Sequence, residues 1–186
     1  MATVIAFVGS PRKGGNTDTL VRAVLEGGAA QGAETRLHYL NDLSIRGCQG
    51  CDACKREGAC VIQDDMTPLY DEIFHADGIV IGSPIYACYF SAQTKLLIDR
   101  WYALFDDNLV SRVSAGKRFG LVVTYGDAGE DVYNGAINSL VPIIQLMAPA
   151  FLDTVTLSGT TDKDSAMRNP EALRRARLLG ERLASG

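Results

Sequence analysis

Hydrophobic positions fall into five short runs, separated by longer stretches in which apolar residues recur at helical spacing. Thr3-Val4-Ile5-Ala6-Phe7-Val8, Gly78-Ile79-Val80-Ile81-Gly82 and Phe119-Gly120-Leu121-Val122-Val123-Thr124 are apolar along nearly their whole length. That pattern predicts parallel strands buried on both faces. Glu34 to Leu40 reads as a second, more polar strand, and Phe151 to Leu157, with Asp153, Thr154 and Thr156, as an edge strand. A first helix opens at Asn16 and Thr17, cap-type residues, and is carried by Leu20, Val21, Val24 and Leu25. Helical spacing then covers 65–76, 91–105, 131–148 and 170–184. Leu97, Trp101, Leu104 and Phe105 form a face expected to be buried, with Trp101 as packing. Asn169 and Pro170 supply an N-cap and a first helical position. Five strands alternating with five helices predict an α/β fold with a doubly wound five-stranded parallel sheet. Residues 1–186 are expected to form one domain, without repeats or a linker.

The turn after the first strand, Gly9-Ser10-Pro11-Arg12-Lys13-Gly14-Gly15-Asn16-Thr17, carries the chemistry. A strand-to-helix turn aims free N–H groups and the positive end of a helix dipole at one point above the sheet. Ser10, Asn16 and Thr17 add donors, and Arg12 adds charge, so the expected guest is a phosphate. A nucleoside-triphosphate loop would need Lys-Ser/Thr where Gly15-Asn16 stand, and the dinucleotide pattern Gly-x-Gly-x-x-Gly is absent. What remains suits a single terminal phosphate. A phosphate loop after the first strand implies sheet order 2-1-3-4-5, with the ligand at the switch point.

Composition narrows the partners. The net charge is −4, so no basic surface argues for nucleic acid or an anionic membrane. No apolar run is long enough to span a membrane or to serve as a signal peptide, and a cytoplasmic location is expected. Five cysteines in that compartment point to metal or redox use.

Residues 44–64 break the rhythm with neither helical nor strand spacing, and loops that long are commonly functional. The segment holds Cys48, Cys51, Cys54 and Cys60, spaced C-x2-C-x2-C-x5-C. Four thiolates suit a [4Fe–4S] cluster. Free or redox-active thiols and zinc remain open alternatives. Cys88 is expected to be a half-buried small residue, and Lys55 and Arg56 solvated charges. His38 and His75 lack partners at metal or triad spacing, so neither is assigned a catalytic role.

Two further loops follow the third and fourth strands. Ser83-Pro84-Ile85-Tyr86-Ala87-Cys88-Tyr89-Phe90-Ser91-Ala92-Gln93-Thr94-Lys95 gathers aromatic residues, and Thr124-Tyr125-Gly126-Asp127-Ala128-Gly129 frees the backbone at two glycines. Gly-Ser-Pro-Arg-x-x-Gly-Asn-Thr at 9–17 and Ser-Pro-x-Tyr-x-x-x-x-Ser-Ala-x-x-Lys at 83–95 resemble the NADPH-dependent FMN reductase and iron–sulfur flavoprotein families. The resemblance runs from residue 3 to about 160 and implies a flavodoxin-like fold binding FMN. It implies that Ser10, Arg12, Asn16 and Thr17 hold the phosphate. Pro84, Ile85, Tyr86, Ala87, Tyr89, Phe90, Tyr125, Gly126, Asp127 and Ala128 would flank the ring, with Asp127 a turn residue. The cysteine run resembles the compact motif of the iron–sulfur flavoproteins, whose cluster relays electrons beside FMN.

The implied activity is an NAD(P)H-dependent FMN oxidoreductase passing electrons to a quinone, a flavin, a nitro compound or a redox protein. The flavin carries the chemistry, so no side chain is assigned as catalytic. Two other readings stand beside it: an iron–sulfur flavoprotein electron carrier without nicotinamide chemistry, and a cysteine-based redox sensor. A homodimer or homotetramer is expected, because relatives complete this site across subunits.

Overall fold

The computed structural model describes every residue except Ala128, Glu130, Pro149 and Gly186. Strand β1 (Thr3–Val8) leads into helix α1 (Asn16–Ala30), and β2 (Glu34–Tyr39) follows. The cysteine segment contains a short helix, α2 (Ala53–Glu57), which apolar spacing did not predict. Next come α3 (Met66–His75), β3 (Gly78–Tyr86), the two-residue β4 (Tyr89–Phe90) and α4 (Ala92–Arg100). The chain closes with β5 (Arg118–Thr124), α5 (Asn134–Met147), β6 (Ala150–Leu157) and α6 (Pro170–Ala184).

The parallel strands run β2-β1-β3-β5-β6, with β4 folded back antiparallel on β3. Counted among the parallel strands alone, this is the expected order 2-1-3-4-5. The central register pairs Val4–Val8 with Gly78–Gly82, and Gly78–Pro84 with Arg118–Thr124. Alternation along each strand sorts side chains to two cores. Ile5, Phe7, Ile79, Ile81, Phe119 and Leu121 pack against Met66, Leu69, Leu97, Trp101, Leu140 and Ile144 of the α3, α4 and α5 side. Val4, Ala6, Val8, Val80, Val122 and Val155 face α1 and α6.

Local chemistry sets the element ends. Asn169 caps α6, its side chain accepting from the Ala172 N–H at 2.9 Å, with Pro170 just inside. At α1 the expectation needs correction: Gly15 is the N-cap and no side chain caps it, so Asn16 and Thr17 already lie in the first turn. The 91–105 stretch also divides. It is α-helical to Arg100 and tightens to a 3-10 turn over Trp101–Leu104. There the Tyr70 hydroxyl donates to the Arg100 carbonyl, and Lys55 Nζ donates to the carbonyls of Tyr102 and Phe105. Donors from outside take carbonyls that a continuing helix would use. Leu97, Trp101, Leu104 and Phe105 are buried as expected.

On the other face α1 and α6 touch backbone to backbone. A Cβ added at Gly180 would lie 1.8 Å from the Val24 carbonyl oxygen, and one at Gly27 would lie 2.0 Å from that of Arg177. Among the described residues, no helix is long and apolar enough to cross a membrane.

Candidate functional site

The sheet order reverses between β1 and β3, and a cleft opens there at the carboxyl ends of the strands. Its volume is about 450 Å³ with its mouth. The floor is the turn from β1 into α1. Gly14 adopts φ +69°, a left-handed conformation that glycine takes without a Cβ penalty. Its N–H donates to Asp18 Oδ2 at 2.6 Å. Asp18, 1% exposed in the first turn of α1, also accepts from the Tyr39 hydroxyl and from Arg22 Nε. The buried carboxylate thus fixes the turn from behind, while the first-turn N–H groups at residues 16–18 have no intrahelical acceptor.

Ser10 and Thr17 are buried at the floor, 5% and 2% exposed. Ser10 Oγ accepts from the Arg12 N–H at 3.2 Å. Thr17 Oγ1 shares a 2.7 Å hydrogen bond with Thr124 Oγ1, which ties α1 to the end of β5. Asn16 has a different task from the one its sequence position suggested. Its Nδ2 donates to the Asp162 carbonyl at 2.7 Å and its Oδ1 accepts from the Ala166 N–H at 2.8 Å. Its side chain therefore holds the 162–166 segment against the turn, leaving its backbone N–H for the cleft.

Ser10, Arg12, Asn16, Thr17, Pro84, Ile85, Tyr86, Tyr125 and Gly126 all line this cleft. Ala87, Tyr89 and Phe90 do not. Ala87 and Cys88 form a tight reversal with φ +47° and +67°, and the strand that leaves it turns Tyr89 and Phe90 toward a groove beside α4 and α5. There the Tyr89 hydroxyl bonds Ser139 Oγ at 2.8 Å. Asp127 does not line the cleft either: its carbonyl accepts from the Gly159 N–H and its carboxylate from the Tyr133 hydroxyl. That bond, then burial, pushes the Tyr133 phenol up to about 12. Ala128 lies outside the described residues. Gly15 and Thr124, members of the two loops quoted from sequence but given no role there, also line the cleft, as do Thr160 and Lys163, to which the sequence did not point. The last two arrive because Asn16 holds their loop in place. The cleft presents backbone N–H groups, hydroxyls and two cations at one end, and an aromatic and apolar wall at the other.

Cys48, Cys51, Cys54 and Cys60 line a second, small pocket, about 320 Å³ when the open space at its mouth is included. As placed, no three metal-ligand side chains among the described residues lie close enough together to hold a metal ion. Cys54 is buried, and that burial raises its thiol pKa. Asp52 and Gly58, both at positive φ, bound α2 on either side of Cys54. Lys55 is not the solvated charge expected from sequence. Its ammonium lies 3.6 Å over the Tyr102 ring while donating to the carbonyls of Tyr102 and Phe105. Arg112 Nη1 donates to the Gly58 carbonyl, and its Nη2 to the Cys54 carbonyl at 3.3 Å. Cys88 is exposed rather than half-buried. His38 pairs with Glu72 at 2.8 Å, and His75 Nδ1 bonds the Asp71 carbonyl at 2.7 Å; neither lines the cleft or the cysteine cavity.

The chain is similar to several known proteins. A 97-residue stretch is 46% identical to an iron–sulfur flavoprotein of Methanocaldococcus jannaschii, covering 52% of this chain and 50% of that protein. A 113-residue stretch is 36% identical to an iron–sulfur flavoprotein of Methanosarcina thermophila, covering 61% and 59%. The matches thus span little more than half the length of these relatives. A second Methanocaldococcus jannaschii iron–sulfur flavoprotein is 33% identical over 78% of this chain and 73% of its own length. In fold, the chain is similar to an NAD(P)H:quinone oxidoreductase from Methanothermobacter marburgensis, with TM-score 0.76, 17% identity, and 100% and 98% coverage. It is also similar to an FMN-dependent NADH-azoreductase from Bacillus anthracis in complex with FMN, with TM-score 0.71, 15% identity and full coverage of both chains. The model of the NADPH-dependent FMN reductase family matches residues 2–161, most of the chain and all of the cleft except Lys163. On that match the chain belongs to the NADPH-dependent FMN reductase family.

Proposed function

We propose that the chain, acting as one domain, is an FMN-dependent NAD(P)H oxidoreductase whose four-cysteine segment holds a [4Fe–4S] cluster. The observation that carries the first part is the cleft at the switch point. It joins unbonded helix N–H groups, the Ser10 and Thr17 hydroxyls, Arg12 and Lys163 on one side to Pro84, Ile85, Tyr86, Tyr125 and Gly126 on the other. The donor set fits a phosphate monoester, since a helix N-terminus with flanking cations offsets its charge. The apolar wall fits a flat heteroaromatic ring.

Bound FMN supplies hydride acceptance and release of single electrons. The protein's part is to bind and orient. Ser10, Thr17 and the first turn of α1 would hold the phosphate, and Arg12 and Lys163 would neutralise it. The backbone of 84–86 and 125–126 would approach the ring and exclude water from one face. No side chain is assigned a proton-transfer role. For the second part, the support is that four thiols share one cavity and that an orphaned guanidinium N–H stands in its wall. Four cysteine sulfurs are the donor set of such a cluster. The cluster would favour passing electrons singly to a quinone, a flavin, a nitro compound or a redox protein.

The exposed apolar groove that receives Tyr89 supports a homo-oligomer. Five cysteines outside disulfides among the described residues support a cytoplasmic setting. Anaerobic purification followed by a visible spectrum, iron and sulfide assays, and rapid mixing with NADPH or NADH tests the reading. A yellow protein bleached by either nicotinamide is expected. Colourless protein that takes up no added FMN would sink it.

A further inference from the structure

Arg100, the last residue of α4, is among the most enclosed side chains of the molecule, 1% exposed, and it stands in the wall of the cysteine cavity. Its guanidinium reaches both ends of the cysteine segment. Nη1 donates to the Arg46 carbonyl at 2.9 Å, two residues before Cys48, and Nη2 donates to the Ile62 carbonyl at 3.2 Å, two residues after Cys60. Nη1 also donates to Asp64 Oδ2 at 2.6 Å, and that side chain is only 6% exposed. Asp64 in turn accepts from the backbone N–H of Arg46 and of Met66. Burial alone would raise the Asp64 carboxyl, but the bond from Arg100 and the two N–H groups carry it below the ordinary carboxylate range. One guanidinium therefore joins the entry and the exit of the segment.

The same group is not fully used. Arg100 Nε is buried and has no acceptor among the described residues. An idle charged donor in a dry site is costly unless negative charge faces it. The pocket that Arg100 borders is also lined by Cys60.

We infer that Arg100 is a positioning residue of the four-cysteine site. It clasps the two ends of the loop so that the sulfurs face one cavity, and its buried charge and free Nε–H favour negative charge on the group those sulfurs hold. The second half rests on the cluster reading above; the first does not.

The test uses the full chain. Hydrogen exchange is followed in the protein before iron is added, and the midpoint potential is titrated after anaerobic reconstitution with iron and sulfide. Arg100→Gln is expected to speed exchange across 46–62 by about tenfold or more while leaving β1 and β3 protected. It is expected to shift the cluster potential negative, because a nearby cation stabilises the reduced form. Arg100→Lys should restore part of the potential but not the protection, since an ammonium keeps the charge yet cannot span both carbonyls. Asp64→Asn, which keeps shape and the guanidinium, should move the potential the other way. Wild-type exchange and potential in Arg100→Gln would overturn the inference, as would exchange that rises equally throughout the sheet. An unchanged potential in both Arg100→Gln and Asp64→Asn would remove the electrostatic role. A wild-type protein that incorporates no iron refutes the cluster reading and the electrostatic half with it, and the exchange data then decide the clasp alone.

Discussion

Asn16 joins the turn between β1 and α1 to the C-terminal part of the chain through two hydrogen bonds, to the Asp162 carbonyl and from the Ala166 N–H. Asn16→Ala would leave both groups without a partner and release Thr160 and Lys163 from the cleft. FMN affinity is expected to fall about tenfold, the value of one such lost contact, read from the quenching of flavin fluorescence. Asn16→Asp keeps the acceptor and should lie between. At the hairpin tip, Ala87 holds φ +47° with a side chain that disfavours it. Ala87→Gly is expected to stabilise the protein by about 1 kcal/mol in urea unfolding, since relief of strain outweighs the added chain entropy. Ser10, Arg12 and Thr17 could be picked out of the sequence because they sit within one short motif. Thr160 and Lys163 could not, because nothing local says that their segment ends beside residue 17. The double use of the Asn16 side chain was hidden for the same reason.

The contact between α1 and α6 depends on glycine. Gly180→Ala would drive a methyl group to 1.8 Å from the Val24 carbonyl oxygen, so the helices must part. A loss of about 1–3 kcal/mol is expected in chemical denaturation, with weaker FMN retention if the α1 N–H groups hold the phosphate as proposed. The clasp between α4 and the cysteine segment has its own signature with pH. Asp64 is held below its ordinary 3.8, so its contribution is complete above that value and is lost as pH falls through the lower folded value. Exchange in 46–64, corrected for its intrinsic pH dependence, should stay flat from neutral pH to about 5 and rise only in stronger acid. Most elements were legible because they are long and periodic, and α6 begins and ends where Asn169, Pro170 and the apolar spacing put it. α2 was not, because five residues ended by Gly58 at φ +81° are too few to display a helical period. The tightening after Arg100 was hidden too, since its causes are donors from Tyr70 and Lys55, which lie far off in sequence.

Strand order followed from the sequence because a donor-rich turn after the first strand and right-handed crossovers leave few arrangements. The surface did not. Leu109, Val110 and Leu146 are at least half exposed, and Leu109 and Leu146 line one groove with Tyr89 and Tyr102. Tyr102 also borders the cysteine cavity. If the groove joins copies of the chain, Leu146→Glu should lower the mass found by light scattering to that of a single chain while leaving the far-ultraviolet circular dichroism unchanged. Exposed apolar positions are scattered along the sequence and become a face only when α4, α5 and the hairpin are brought together.

The bond from Asn16 to the 162–166 segment also makes closure of the cleft a long-range event. The residue that holds this loop and the carbonyl it bonds are 146 positions apart. A fragment cut after Gly126 would keep the turn and the aromatic wall but not Thr160 or Lys163, and its cleft would stay open on one side.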